Sequence, residues 1–351
     1  MNDIRPLLAK CLIRPGWTIV GFCGLLCIVF GLVASGVRAS DPARIVGANA
    51  CAECHTREAE AWKGTHHFST FREMPRSKQA SEIAKIMGVQ RIRSEGLCLT
   101  CHYTVQQKDN KSQAVSGISC ESCHSGGQNW IKIHSGFSGK TEQTETKAEA
   151  AARWKRAEDA GMIRPSAIYR LAKNCYSCHV VPQEDLVNKG GHSAGSDFEL
   201  VSWSQGEVRH NTWHSKGKAN TPASASRRRM LYLIGLGVEL ETGLRSIGNA
   251  TARHVYAFEM ARRVDQARKQ LSVAAKALPA VPEVAKLVEQ SHSAGLKLDN
   301  KRALTAAADE VAKILEAIGV KYDGSTLGGV DSLIPAANTY KGTAKDVGSA
   351  N

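Results

Sequence analysis

The sequences CAECH at 51–55, CLTCH at 98–102, CESCH at 120–124 and CYSCH at 175–179 share the pattern Cys-x-x-Cys-His. This pattern is typical of covalent c-type haem attachment. The two thiols add to the haem vinyl groups, and the following His can then bind the iron axially. The attachment cysteines are Cys51, Cys54, Cys98, Cys101, Cys120, Cys123, Cys175 and Cys178, and the motif histidines are His55, His102, His124 and His179. The sequence therefore predicts four covalently attached haem c groups.

Paired Cys-x-x-Cys units also occur in zinc sites and in redox-active dithiols. Neither chemistry requires a His directly after every second Cys. Haem attachment, in contrast, uses that His as an iron ligand in all four copies. We therefore favour haem over zinc and over a dithiol.

The N-terminal segment 1–40 contains an uncharged stretch at 15–37, which follows Arg5, Lys10 and Arg14. A stretch of this length can span a bilayer as one helix. The preceding basic residues orient it so that the chain after Ser40 lies across the membrane. We expect an anchor in the bacterial inner membrane with the remainder on its periplasmic side. A cleaved signal is the alternative, and would leave a soluble periplasmic protein.

The chain has 46 Lys and Arg against 33 Asp and Glu, which gives a formal net charge of +13. The propionates of four haems bring roughly eight negative charges and would lower this to about +5. No nucleic-acid-binding motif is present, so we expect no nucleic acid partner. The remaining positive charge favours a redox partner with an acidic docking face.

The segment 41–220 is rich in Gly, Ser and His and has few long apolar stretches. Side chains alone would give it too small a core, whereas four haems supply large flat apolar surfaces. We therefore expect a mainly α, haem-cored multihaem cytochrome domain with little regular sheet. Short helices are predicted at 56–63, 79–87 and 148–159, and a loop at 106–117.

The composition changes after residue 220, and 221–320 is predicted to be a helical module without haem motifs. A long helical pattern covers 226–278, and further helices are expected at 282–293 and 301–318. The module is expected either to mediate interaction, including homo-oligomer formation, or to cover the haem domain. Residues 321–351 are expected to form a weakly ordered tail.

The histidines outside the motifs decide the chemistry. A haem with two His ligands is coordinatively full and transfers electrons, whereas an open position allows a small molecule to bind. His254 lies on the apolar stripe of the module and is predicted to be a core residue. The other candidates are His66, His67, His134, His192, His210, His214 and His292. Met74 and Met162 are expected to pack rather than to bind iron.

Two stretches carry a resemblance to a known family. CAECHTREAEAWKGTHHF at 51–68 and GISCESCHSGGQNWIKIH at 117–134 resemble the tetrahaem cytochrome c-554 family, as does the order of the four motifs. The resemblance covers roughly 45–215 and does not reach the helical module. It implies that His134 is the distal ligand of the first haem and His67 that of the third, with His66 a bystander.

The resemblance also implies His210 as the distal ligand of the fourth haem and an open position at the second haem, opposite His102. The Gly190-Gly191-His192 element departs from the family pattern. His192 either closes the open position at His102 or competes with His210 for the fourth haem.

These features predict a periplasmic carrier that moves electrons between redox proteins. One alternative is a redox enzyme that acts on a small nitrogen or sulfur compound at an open second haem. Another is a membrane-anchored quinol dehydrogenase. Such proteins usually place a haem motif closer to the membrane helix than this chain does.

Overall fold

The computed structural model describes residues 41–94 and 96–346. The predicted anchor or signal at 15–37 lies outside these ranges. Among the described residues, no helix is both long enough and apolar enough to cross a membrane.

The described chain is mainly α-helical and includes one two-stranded sheet, so the predicted fold class is confirmed. The helices up to the module are α1 Ala48–Ala52, α2 Thr56–Lys63, α3 His66–Glu73, α4 Lys78–Ile86, α5 Gly96–His102, α6 Cys120–His124, α7 Ile131–His134, α8 Lys147–Asp159, α9 Ile168–His179, α10 Glu184–Asn188 and α11 Leu200–Ser204. The module contains α12 Ala225–Asn249, α13 Val255–Ala277, α14 Pro282–His292 and α15 Lys301–Lys321. The three short helices predicted from the sequence correspond to α2, α4 and α8.

The loop predicted at 106–117 is wrong, because β1 Thr104–Lys108 pairs antiparallel with β2 Lys111–Ser116. The turn between them is formed by Asp109 and Asn110, which have φ angles of 49° and 58°. Two consecutive positive φ angles match the twist of a two-residue hairpin, and Asp and Asn tolerate them.

The long helical pattern at 226–278 is divided between α12 and α13. At the break, the Glu184 carboxylate accepts hydrogen bonds from the backbone nitrogens of Thr251 at 2.7 Å and Ala252 at 3.0 Å. These contacts satisfy amide groups that a continuous helix would have used internally. His254 lies beside this break and is exposed, with Nδ1 3.0 Å from Asn188 Oδ1, so its predicted core position is wrong.

Helix α12 is the centre of the module and is surrounded by protein. Residues 230–238 are all buried, which is expected of a helix with neighbours on every side. A Cβ atom at Gly237 would lie 2.2 Å from the Leu315 side chain, and one at Gly243 would lie 2.6 Å from Val264. The two glycines therefore allow α15 and α13 to pack closely on α12.

The hydrophobic core is continuous from α9 through the module. It includes Ala172 and Tyr176 of α9, Leu233 of α12, and Leu327 and Val330 after α15. Helix α12 contacts α9, which carries the fourth motif. The module therefore packs directly against the helix that carries the fourth motif. A smaller cluster contains Trp130, Ala157 and Met162, so Met162 packs as expected.

Candidate functional site

Each Cys-x-x-Cys-His motif lies on a short helical element. The second, third and fourth motifs end α5, α6 and α9 at the motif His, and the first motif runs from α1 to His55, the residue before α2. A helical turn brings side chains at i and i+3 to the same face. The two thiols of a motif can therefore face the same haem edge. Within the described residues the motif cysteines form no disulfide.

The four motif helices contact one another in a row. Helix α6 contacts α1 and α9, and α9 also contacts α5. The Asn174 amide of α9 donates a hydrogen bond to the backbone oxygen of Cys123 at 2.8 Å, which ties the third motif to the fourth. Their spatial order is therefore first, third, fourth and second.

Every motif histidine faces a second histidine. The ring centroids are 6.2 Å apart for His55 and His134, 6.2 Å for His67 and His179, 6.2 Å for His102 and His192, and 6.3 Å for His124 and His210. In a metal site with two imidazoles on opposite sides, each metal–nitrogen bond is about 2.0 Å long, and each ring centre lies about 1.2 Å beyond its nitrogen. The two ring centroids are then about 6.4 Å apart. All four pairs therefore fit an iron between their rings.

The partners differ in part from those implied by the resemblance. His134 faces His55, as implied. His67 faces His179 of the fourth motif rather than the third-motif histidine, because α3 packs on α5, the neighbour of α9. His210 faces the third-motif His124 rather than the fourth.

The second motif does not present the implied open position, because His192 faces His102. Two glycines shape this turn. A Cβ at Gly190 would lie 2.7 Å from the Leu186 backbone oxygen, and Gly191 has a φ of 72°. The backbone nitrogen of His192 donates a hydrogen bond to the backbone oxygen of Leu186 at 3.1 Å. The turn therefore follows directly on α10 and directs the ring towards His102.

Burial favours the neutral imidazole at three of the motif histidines and at two of the histidines opposite them. It lowers the pKa of His102, His124 and His179 to about 4, and it also lowers the pKa of His67 and His134. A neutral imidazole has the free lone pair that a metal ion requires.

Hydrogen bonds at Nδ1 fix the orientation of five rings. Backbone oxygens accept from Nδ1 in four of them: Ile163 O for His124 at 2.8 Å, Ile131 O for His134 at 2.7 Å, Ser193 O for His192 at 2.8 Å and Val208 O for His210 at 2.7 Å. In the fifth, Ser196 Oγ lies 2.8 Å from Nδ1 of His179. A proton on Nδ1 leaves Nε2 unprotonated and available to a metal ion. The hydrogen bonds at Nδ1 therefore support the same iron-binding role as the distances between the rings.

The loop after His210 links the first and third motifs. Thr212 is buried and donates a hydrogen bond to the Glu58 carboxylate, which lies 3.8 Å from His55 Nδ1. Burial opposes ionisation of Glu58, but hydrogen bonds from His55 and Thr212 lower its pKa to about 2. The Trp213 ring lies 5.0 Å from the His55 ring and is 49% exposed.

The sequence reasoning missed Glu121, which is fully buried inside the third motif. Its carboxylate accepts hydrogen bonds from the backbone nitrogens of Val46 and Gly47, each at 2.8 Å, and of Gly127 at 2.7 Å. It therefore fastens the segment before the first motif to the third. Glu121 occupies one of the two variable positions between the motif cysteines, and the sequence at these positions does not indicate whether the side chain is buried.

The helical Cys-x-x-Cys-His motifs and the opposed histidines are the features of a c-type cytochrome. A family model described as cytochrome c554 and c-prime matches residues 50–125, which contain the first three motifs. Cytochrome c-554 of Nitrosomonas europaea is 24% identical over 169 residues, which cover 45% of this chain and 67% of that protein. No solved structure matches significantly. The predicted resemblance to the cytochrome c-554 family is confirmed.

Proposed function

We propose that this protein is a tetrahaem cytochrome that transfers electrons between redox proteins on the periplasmic side of the membrane. The observation that carries the proposal is the set of four opposed histidine pairs with centroid separations of 6.2–6.3 Å. The cysteines of each motif would hold one haem c, and each pair would supply its two axial ligands. Bound haem supplies a one-electron iron couple at each pair.

The row of motif helices supports a carrier rather than a set of separate sites. Each histidine pair is named here by its motif histidine. The pairs then follow one another along the row in the order His55, His124, His179 and His102. Adjacent motifs are in contact, since α6 packs against both α1 and α9. Centres held this closely titrate as a coupled set.

The ligand type predicts low reduction potentials, since methionine ligation raises the potential and every pair consists of two imidazoles. An enzyme that acts at an open second haem is not favoured, because His192 faces His102 at the same separation as the other pairs. The periplasmic location rests on the leader at 1–40. N-terminal sequencing of the mature protein would distinguish a retained anchor from a cleaved signal.

The test is to produce the full chain in an export-competent host with a cytochrome c maturation system. We expect an intact mass with four haems, a wholly low-spin ferric spectrum and four one-electron steps in a redox titration. The double variant Cys175→Ala/Cys178→Ala is the matched control and should carry three haems. An unmodified polypeptide, a single haem or bound zinc in the wild type would refute the proposal.

A further inference from the structure

The segment 195–198, which we call the strap, lies against His179 of the fourth motif. The backbone nitrogen of Ser196 donates to the His179 backbone oxygen at 3.1 Å, and Ser196 Oγ lies 2.8 Å from His179 Nδ1. The Phe198 ring stacks on the His179 ring with centroids 4.2 Å apart and an interplanar angle of 23°. The strap therefore constrains the backbone, the Nδ1 atom and the ring plane of one predicted iron ligand.

The strap is held by the helical module. Arg263 of α13 donates through Nη2 to the Ser196 backbone oxygen at 2.6 Å and through Nη1 to Glu239 Oε1 of α12 at 2.9 Å. One guanidinium thus bridges the strap and α12. A continuous chain of contacts runs from the module, which has no haem motif, to His179.

The backbone of the strap approaches both partners very closely. A Cβ at Gly195 would lie 2.4 Å from the His179 backbone oxygen and 2.7 Å from Arg263 Nη2. Gly195 also has a φ of 146°, which L side chains rarely adopt. The strap can therefore lie between His179 and Arg263 only because this residue has no side chain.

The charged side chains of Arg263 and Glu239 are largely buried, and removing such charges from water lowers the stability of the fold. The side chains of Arg263 and Glu239 are 8% and 13% exposed. Among the described residues, Arg263 Nε and Glu239 Oε2 have no hydrogen-bond partner. A fold is often equally stable, or more stable, when a buried ion pair is replaced by apolar residues of similar size. Stability alone is therefore a weak explanation for it.

We propose that Arg263 and Glu239 are positioning residues for His179, through which the C-terminal helical module sets the orientation and hydrogen bonding of this iron ligand. The proposal rests on the proposed function, since it requires a haem at the fourth motif. Hydrogen bonding to the outer nitrogen of a ligating imidazole tunes the metal that it binds. The module then adjusts one of the four redox centres as well as covering the haem domain.

The experiment uses the full-length holoprotein with Arg263→Met, and Arg262→Met as the matched control. Arg262 is the adjacent residue on α13, its side chain is 55% exposed, and it pairs with Glu259 at 2.9 Å. Haem content is measured by mass spectrometry, the ferric low-spin signals by electron paramagnetic resonance, and the potentials by titration. We expect Arg263→Met to keep four haems and to shift the g-values and potential of one centre, while Arg262→Met shifts none.

Lower stability in Arg263→Met with all four signals unchanged would overturn the proposal, because the bridge would then only fasten the module. If that variant fails to fold, Glu239→Gln decides the question. It leaves the guanidinium without its carboxylate and should shift the same signal, whereas unchanged signals would overturn the proposal. A wild type without haem on the 175–179 peptide would refute the proposed function instead, and the same mass spectrum reveals this.

Discussion

Replacement of His192 by alanine tests the distal ligand that distinguishes a carrier from an enzyme. His192 supplies one ring of the four histidine pairs, and within the described part of the chain it is the aromatic ring that faces His102. Loss of this ring should leave one of four haems five-coordinate. We therefore expect about one quarter of the ferric haem in His192→Ala to become high-spin and to bind carbon monoxide after reduction. The residue lies in a turn after α10, so the stability cost should be about 1 kcal/mol.

The assay compares optical and electron paramagnetic resonance spectra of the wild type, His192→Ala and His254→Ala. His254 is a suitable control because it is exposed and contacts Asn188 rather than a motif histidine. Its variant should stay wholly low-spin, as should the wild type. A high-spin quarter already present in the wild type and unchanged in His192→Ala would refute the reasoning, since His102 would then have no distal histidine.

Three further predictions concern the module. Leu240→Ala creates a cavity at a fully buried position in α12 and should lower the free energy of unfolding, measured by denaturant titration, by about 3 kcal/mol. The control Val320→Ala, at a position that is 91% exposed, should change the free energy of unfolding by less than about 0.5 kcal/mol. Glu241→Gln weakens the buried carboxylate contacts that join α12 to α9 and should lower the thermal midpoint; an unchanged midpoint would contradict that role. The hydrogen bond from Lys321 lowers the pKa of Glu283 from 4.5 to about 2, so its stabilisation is present above pH 4.5 and is lost as the pH falls towards 2. Thermal midpoints of Glu283→Gln should therefore depend less steeply on pH between 4.5 and 2, and equal slopes would count against this linkage.

Local features of the fold were readable from the sequence. The short helices α2, α4 and α8 and the helix predicted at 301–318, which is α15, follow from the local sequence, and all are confirmed. The hairpin formed by β1 and β2 is not evident from the sequence, because its two-residue turn, Asp109-Asn110, lacks the glycine that usually marks such a turn. The break between α12 and α13 depends on Glu184, far away in sequence, and no local pattern contains that information.

The sequence by itself determined the attachment chemistry, because two thiols and one imidazole must lie within five consecutive residues for each haem. It also supplied the distal candidates His67, His134, His192 and His210. Only the tertiary structure decided which candidate faces which motif. That choice depends on how α3 packs beside α5 and α9 and on where the Gly190-Gly191 turn directs the chain. Ligand spacing within a motif is a local property of the backbone, whereas two rings 6.2 Å apart across an iron site come from segments that meet only after folding.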